Sequence, residues 1–392
     1  MIKIAILGLG VVGGGVADIL EKNSKVLSTK LGGSGEPLIG IKYVLDKRAS
    51  VGHGLDDCIT MDFEKILNDD EVSVVVETMG GIHPAYDFSK AALEHGKHVV
   101  TSNKAVVSAC GDELVRIARE NSVAYLFEAS VGGGIPIIRP LMSCLAANDI
   151  NRICGILNGT TNFILTEMET KDLSFEEALK KAQKLGYAEA DPTADIGGAD
   201  TARKICILAN IAYNMFITHE DISYEGITGI THDDILLASM LGYRIKLIGY
   251  AAGEGDTADV FTAPMLVRVG TQLAITEGEF NCINVEGNAV GEITFTGKGA
   301  GSLPTASAIV ADVLDAVTCA PRYPWSCTKR GSALTASSES YSNYYRTTDS
   351  AAAEKAASEH GVRTVAHNGA YAFILPAGVP VQNADLKLRI LE

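Results

Sequence analysis

The chain opens on IKIAILGLGVVGGGVADILEKN, and this stretch restricts the fold more than any other. An apolar run of strand length leads into GLGVVG, and the residues beyond it carry Val16, Ile19 and Leu20 at helical spacing. Gly8 permits a tight turn, Gly10 leaves the backbone open to a pyrophosphate, and Gly13 lets the helix pack close on the strand. The amides of Val11, Val12 and Gly13 then lie at a helix N-terminus, where free N–H groups and the helix dipole favour an anion. Strand, glycine turn and helix in this order predict a dinucleotide-binding α/β unit, a Rossmann-type doubly wound parallel sheet.

The following residues keep that alternation. IGIKYVLD and EVSVVVETMGG read as further strands, HPAYDFSKAALEHG as a helix ended by glycine, and KHVVTSN as the next strand. The carboxyl ends of such strands face the cofactor crevice, and there the chain places ETMGG and TSNKA. Lys104, just past a strand end, is positioned to orient a carbonyl or a carboxylate; a plain salt bridge is the alternative. The acid expected to bind the ribose is Asp46 in YVLDKR, delayed by the insertion TKLGGSGEPL. Asp46 favours NAD, whereas Lys47 and Arg48 either hold the extra phosphate of NADP or are exposed turn residues, so the preference stays open.

Composition narrows the function classes. At 392 residues, 47% hydrophobic and 21% charged, the chain suffices for two or three domains with buried cores. A net charge of −15 without Lys/Arg runs argues against nucleic acid or an anionic membrane surface as partner. The apolar start is short and broken by glycine, a buried strand rather than a leader or anchor. Cys58, Cys110, Cys144, Cys154, Cys206, Cys282, Cys319 and Cys327 form no CxxC pair, which suits free thiols in a reducing cytoplasm. His95 and His98 flank the turn EHGKH and are read as structural.

Past residue 127 the pattern changes. Gly132 to Gly134, beside Glu128, make either a tight connection or a backbone able to turn carbonyl oxygens towards a hard cation. In LNGTTNFIL, Asn158, Thr160 and Thr161 either touch a substrate or cap a helix. SFEEALKKAQKLG carries the capping box Ser174/Glu177. GYAEADPTADIGGADTARK then concentrates acids ahead of a helix in which Asp200 and Lys204, four apart, share one side while Arg203 points elsewhere. Asp191, before Pro192, reads as a turn former and Asp195 as a helix-start or exposed residue.

GLGVVG, SNKA, EASVGGGIPI, LNGTTNFIL, GYAEADPTADIGGADTARK, YEGI, GYRIKLIGYA and GKGAGSLPTASAIVADV follow one another as they do in homoserine dehydrogenases, and the chain resembles that family to about Val317. The resemblance implies interconversion of aspartate 4-semialdehyde and homoserine with NADP or NAD. It assigns Lys204 as proton donor, Glu189 as ligand of the substrate ammonium, Asp200 as a neighbour of both, and Lys104 as shared between cofactor and substrate. Thr78, Ser102 and Gly301 would reach the nucleotide. Carbonyls of Glu128, Val131, Gly133 and Ile135 would hold a sodium-like monovalent cation, structural rather than catalytic. The implied architecture is a dinucleotide domain over 1–130, rejoined at about 300–320, and a mixed α+β substrate and dimerisation domain over 131–299. A homodimer or higher homo-oligomer is the implied assembly.

The chemistry of the residues agrees with these roles. Hydride arriving at an aldehyde carbon puts negative charge on oxygen, so the proton donor must exist in both protonation states. Lysine can do this; arginine cannot near neutrality. Asp200 would hold the Lys204 ammonium in place.

Residues 330–392 read as a short α+β segment: strand, helix, two strands joined at Asn368 and Gly369, and a last strand. It resembles part of the regulatory fold many homoserine dehydrogenases carry for threonine. Asp349 lacks the proline and glycine usual at the ligand turn, and dimer packing is the plainer role. Two rival functions remain. A sugar or imino-acid oxidoreductase would oxidise polyols and ignore homoserine; a non-catalytic dinucleotide sensor would bind the cofactor without turnover.

Overall fold

The structure is a computed structural model that describes residues 1–48, 50, 52–255, 257–323, 325, 330–334, 340–379, 381 and 384–391. Cys327 lies outside these residues; among the described residues the other seven cysteines form no disulfide. The chain divides into two compact units, Met1–Asp149 with Cys206–His219 and Gly297–Gly331, and Ile150–Ile205 with Glu220–Thr296 and Ser332–Glu392.

The first unit is built on six parallel strands: β1 (Ile2–Leu7), β2 (Ile39–Leu45), β3 (Ile59–Thr60), β4 (Val72–Glu77), β5 (His98–Thr101) and β6 (Tyr125–Leu126). Their order β3-β2-β1-β4-β5-β6 is the doubly wound arrangement, reversing between β1 and β4. A parallel sheet is covered on both faces, so its central strands need apolar side chains on both sides. VSVVVE meets this demand: Val74, Val75 and Val76 are all fully buried. Val16 and Leu20 of the Val11–Lys22 helix close one core together with Ile309, Val310 and Val313 of the Ser302–Thr318 helix. Each such side chain contributes about 1.5–3 kcal/mol on burial.

The first compact unit takes in the chain as far as Asp149. The cause is local: the Glu128 carboxylate accepts the amides of Ile137, Ile138 and Arg139, and Arg139 pairs with Asp312, so residues 131–149 are tied to the strand end they leave.

The second unit has one mixed sheet made of β7 (Ile150–Ile156), β8 (Ser223–Tyr224), β9 (Tyr243–Glu254), β10 (Thr257–Arg268), β11 (Phe280–Gly287), β12 (Gly291–Lys298), β13 (Ser332–Leu334), β14 (Asn343–Thr347), β15 (Thr364–His367), β16 (Ala370–Leu375) and β17 (Leu386–Leu391). The main order is β12-β11-β7-β9-β10-β17-β14-β16-β15. Helices Gly159–Lys171, Phe175–Leu185 and His232–Met240 supply apolar residues to the core over one part of this sheet. Ser174 and Glu177 form the capping box of the second helix.

The C-terminal residues fold as strand, helix (Ser350–His360), two strands and strand, with Asn368 and Gly369 turning at positive φ. Within them β17 pairs in parallel with β10, Met265 opposite Arg389, so the segment prolongs the sheet of the second unit. Asp349 caps the Ser350–His360 helix through the amides of Ala351 and Ala352.

Candidate active site

In the first unit the glycine turn has the geometry of a phosphate cradle. Gly8 adopts φ 85°, a conformation that favours glycine. A Cβ on Gly13 would lie 2.3 Å from the Gly8 carbonyl oxygen and 2.9 Å from Thr78 Oγ1, so helix and strand meet at a distance only glycine allows. A Cβ on Gly10 would meet nothing within 4 Å, which leaves this side of the turn open. The Val11–Lys22 helix has no side-chain cap and no acid in its first turn, so the amides of Val11, Val12 and Gly13 are presented to an anion. Thr78 donates its hydroxyl to Gly8 O (2.6 Å) and braces the turn. Gly301, at φ 114°, starts the Ser302–Thr318 helix, and Ser302 Oγ donates to Val11 O (2.7 Å). Gly301 is thereby brought beside the cradle. These features fit a dinucleotide.

Asp46 is committed within the protein. Its Oδ1 accepts the Arg48 amide (3.0 Å) and Nε (2.9 Å), and its Oδ2 accepts the Leu9 amide (3.0 Å) and Arg48 Nη2 (2.7 Å). All four lone-pair directions of the carboxylate are filled. The Arg48 guanidinium holds the Asp46 carboxyl well below the usual carboxylate range. Arg48 also donates to Leu9 O (2.7 Å), while Lys47 is exposed.

Two strand-end loops are organised by Glu77, fully buried at the end of β4. It accepts Thr101 Oγ1 (2.6 Å) and the Met79 amide (2.7 Å), and burial raises its carboxyl despite these bonds. Asn103 caps the Lys104–Glu120 helix through the Val106 amide and donates to Gly81 O (2.8 Å). Lys104 is thus the first helical residue, half-buried, and the amide of the preceding Ser102 lies 3.4 Å from Glu77 O. Sequence reasoning missed Glu77 as an organiser, since only the Thr101 and Met79 bonds reveal it.

Beyond β6 the backbone turns through Val131, Gly132, Gly133 and Ile135, all buried, with Gly132 and Gly133 at φ 71° and 54°. A Cβ on Gly133 would stand 2.5 Å from Gly299 O. Glu128 donates its amide to Asp312 Oδ2 (2.9 Å). Burial, with the Glu128 charge next, pushes Asp312 up to about 7. Among the described residues no cluster of three or more His, Cys, Asp or Glu is set as metal ligands. His95 and His98 bond to backbone, through Ala91 O and the Ala124 amide.

In the second unit a compact polar cluster surrounds Lys204. The Ala199–Ala212 helix places Asp200 and Lys204 on one side, both buried, and Lys204 Nζ donates to Asp200 Oδ2 (2.7 Å) and Leu157 O (2.7 Å). Asn158 Nδ2 donates to the same Asp200 oxygen (2.8 Å) and to Asp195 Oδ1 (2.7 Å), while its Oδ1 caps the Gly159–Lys171 helix at the Thr161 amide (2.9 Å). Asn158 therefore caps the helix and braces the acids at once. Asp195 lies in the first turn of the short Thr193–Ile196 helix, the helix-start position expected of it, and is half-buried there because Asn158 reaches it. Thr160 Oγ1 donates to Tyr187 O (2.6 Å) and fixes the loop that carries Glu189, which is exposed. Asp191 accepts the Thr193 amide (3.1 Å), the turn role expected of it. A lysine amine held against a carboxylate and a carbonyl retains one further N–H, the arrangement a proton-exchanging group requires.

Comparison with known proteins yields consistent matches. Residues 8–128 match the NAD-binding domain of homoserine dehydrogenase and residues 136–314 match the homoserine dehydrogenase family itself. The chain is 42% identical over 316 residues to a homoserine dehydrogenase of Bacillus subtilis, covering 80% of this chain and 72% of that one. It is 41% identical over 317 residues to one from Pseudomonas aeruginosa, covering 81% and 72%. The crystal structure of a homoserine dehydrogenase from Thiobacillus denitrificans superposes with a TM-score of 0.86 at 33% identity, covering 100% of this chain and 98% of that one.

Proposed function

The chain belongs to the homoserine dehydrogenase family, NAD(P)-dependent oxidoreductases acting on a CH–OH group, and we propose that Lys204 is the group that exchanges the proton with the substrate oxygen. The bound dinucleotide supplies or accepts hydride at the carbon that becomes the aldehyde of aspartate 4-semialdehyde or the alcohol of homoserine. The glycine turn with Gly8, Gly10 and Gly13, the first-turn amides, and the Thr78, Ser102 and Gly301 neighbourhood would hold that dinucleotide.

Lys204 donates to the aldehyde oxygen during reduction and takes the proton back during oxidation. Two of its N–H groups are fixed on Asp200 and Leu157 at 2.7 Å, which aims the remaining one. Asp200 orients the amine, and Asn158 keeps Asp200 in place from the other side. Glu189 pairs with the substrate ammonium, and Lys104 steadies the substrate near the cofactor. The observation that carries the reading is the buried Asp200–Lys204 pair with its Asn158 brace. A solvated loop offers no reason to bury two charges; a proton-transfer pair does.

For the cofactor, Asp46 is neutralised by Arg48 and its acceptors are filled, so a ribose 2′-phosphate meets less repulsion there and a 2′-hydroxyl finds fewer acceptors. NADP is the preferred form in this reading, with NAD accepted. The buried turn at 128–135 takes a sodium-like ion on the carbonyls of Glu128, Val131, Gly133 and Ile135, as a structural clamp. The working form is a cytoplasmic homodimer or higher oligomer; no described helix is long and apolar enough to cross a membrane.

The test is oxidation of homoserine with each oxidised nicotinamide by the parent protein and by Lys204→Ala, with dinucleotide affinity measured alongside. Turnover in the parent and its near loss in the variant at unchanged affinity are expected. Parental turnover in the variant would remove Lys204 from the chemistry.

A further inference from the structure

Lys246 lies inside β9 and is 1% exposed, a burial that lysine rarely adopts and that a paired acid would ordinarily offset. Its amine donates to Asn162 Oδ1 (2.8 Å) and to Thr276 O (2.8 Å). Neither partner is charged. The nearby acids Glu169 and Glu277 are paired to Arg244 at 2.9 and 2.6 Å. Burial accordingly lowers the Lys246 amine to about 8.

The partners of Lys246 form a clamp. Asn162 Nδ2 donates to Thr276 O and Phe280 O, both at 3.1 Å. Thr166, one turn later, donates to Asn162 O (2.7 Å) and accepts the Gly278 amide (3.1 Å). At the helix start the fit is tighter still: a Cβ on Gly159 would lie 2.6 Å from Glu279 O. The first two turns of the Gly159–Lys171 helix are thus fastened to residues 276–280, and Lys246 bonds to both members. The Asn162 amide donates to Asn158 O (3.3 Å), so the clamp reaches the residue whose side chain braces Asp200. A hydrogen-bonded path runs from Lys246 through Asn162, Asn158 and Asp200 to Lys204.

The geometry points to Lys246 as a positioning residue for the Asp200–Lys204 pair: it locks the start of the Gly159–Lys171 helix so that Asn158 presents its amide to Asp200. The inference rests on the proton-transfer reading of Lys204. Stability alone does not explain a buried ammonium among neutral acceptors, because an apolar side chain of similar length would avoid the cost of desolvating a charge. What the amine adds is direction: it ties one carbonyl and one amide oxygen on different segments to a single point.

The experiment compares Lys246→Met, Asn162→Leu and the double variant with the parent, reading kcat, KM for homoserine, dinucleotide Kd and melting temperature. Lys246→Met should lower kcat about tenfold, leave the dinucleotide Kd within about twofold, and leave the melting temperature no lower than that of the parent. Asn162→Leu should lower kcat similarly, and the double variant should be no worse than the worse single one, since both interrupt one path. A parental kcat in Lys246→Met, or a kcat loss matched by equal losses of melting temperature and dinucleotide affinity, would overturn the inference. If Lys246→Met does not fold, Lys246→Gln decides. It keeps an N–H donor on β9 and leaves the Asn162 bonds to Thr276 O and Phe280 O intact, so it should retain more activity than Asn162→Leu; equal activity in the two refutes the role. Lys204→Ala run in parallel separates the two readings: inactive Lys204→Ala with fully active Lys246→Met removes only the positioning role, whereas active Lys204→Ala removes the proton-transfer reading itself.

Discussion

Replacing Gly10 and Gly13 by alanine, one at a time, separates the two demands a dinucleotide cradle makes on its glycines. At Gly13 the added methyl carbon would stand 2.3 Å from Gly8 O and 2.9 Å from Thr78 Oγ1. The first of these is backbone, held at φ 85° and already accepting the Thr78 hydroxyl, so it cannot swing aside. Helix and strand must separate by about 1 Å, an overpacking error that costs roughly 1–3 kcal/mol. In domains of this size class that lowers the melting temperature by about 2–4 °C per kcal/mol. Gly10 differs: φ −80° and ψ −153° suit alanine, and its Cβ would meet nothing within 4 Å. Gly10→Ala should leave the ligand-free protein as stable as the parent, or stiffen it by about 0.4–1 kcal/mol through the unfolded chain. Its methyl group, however, projects where the pyrophosphate must approach, so the dinucleotide Kd should rise at least about tenfold, or 1.4 kcal/mol. Thermal unfolding without ligand and calorimetric titration with the oxidised dinucleotide read the two effects. Parental affinity in Gly10→Ala would show that the pyrophosphate does not sit on this turn. A parental melting temperature in Gly13→Ala would refute the close-packing argument.

Other perturbations bear on the remaining parts of the site. Arg48→Ala should free the Asp46 carboxylate for a ribose hydroxyl and shift the NADP-to-NAD ratio of kcat/KM about tenfold towards NAD; a shift towards NADP would contradict the reading of this pair. Asn158→Ala should cost about 0.5–2 kcal/mol of stability through the lost cap and lower kcat about tenfold without changing dinucleotide affinity; equilibrium unfolding and steady-state rates check both. With the Lys246 amine moved from the ordinary 10.5 to about 8, the unfolded chain binds the extra proton between those values. The stability of the parent, taken relative to Lys246→Met, should therefore rise as pH rises from about 8 to about 10 and fall back, to the parent's disadvantage, as pH falls through about 8. A denaturant midpoint difference that is flat over that range would show that the amine is not so perturbed.

The parts legible from sequence are those governed by neighbours along the chain. GLGVVG between a strand and a helix announced the cradle because its glycines act on adjacent residues, and the i,i+4 spacing put Asp200 against Lys204. The Ser174/Glu177 capping box and the Asn368–Gly369 turn were readable for the same reason. What escaped depends on distant partners. Asn158 reaches Asp195 and Asp200 only once residues 37 and 42 positions away have folded back to it. Lys246 sits in YRIKLIGY, a strand pattern in which a lysine is ordinarily solvent-facing; its burial is imposed by Asn162 and Thr276. The parallel pairing of β10 with β17 joins segments more than a hundred residues apart, so the extension of the sheet by the C-terminal strands is not visible along the chain. Asp46 was visible as a ribose acid, but its capture by Arg48 is a matter of rotamers that sequence does not encode.

The account stands on the ε-amine of Lys204, and restoring that amine from solution tests it most directly. Lys204→Ala should oxidise homoserine about 10²–10⁴-fold more slowly than the parent, and added methylamine should raise its rate in proportion to the concentration of the free base. Methylamine should not accelerate the parent. A Lys204→Ala variant that turns over at the parental rate, with no response to amine, would contradict the account.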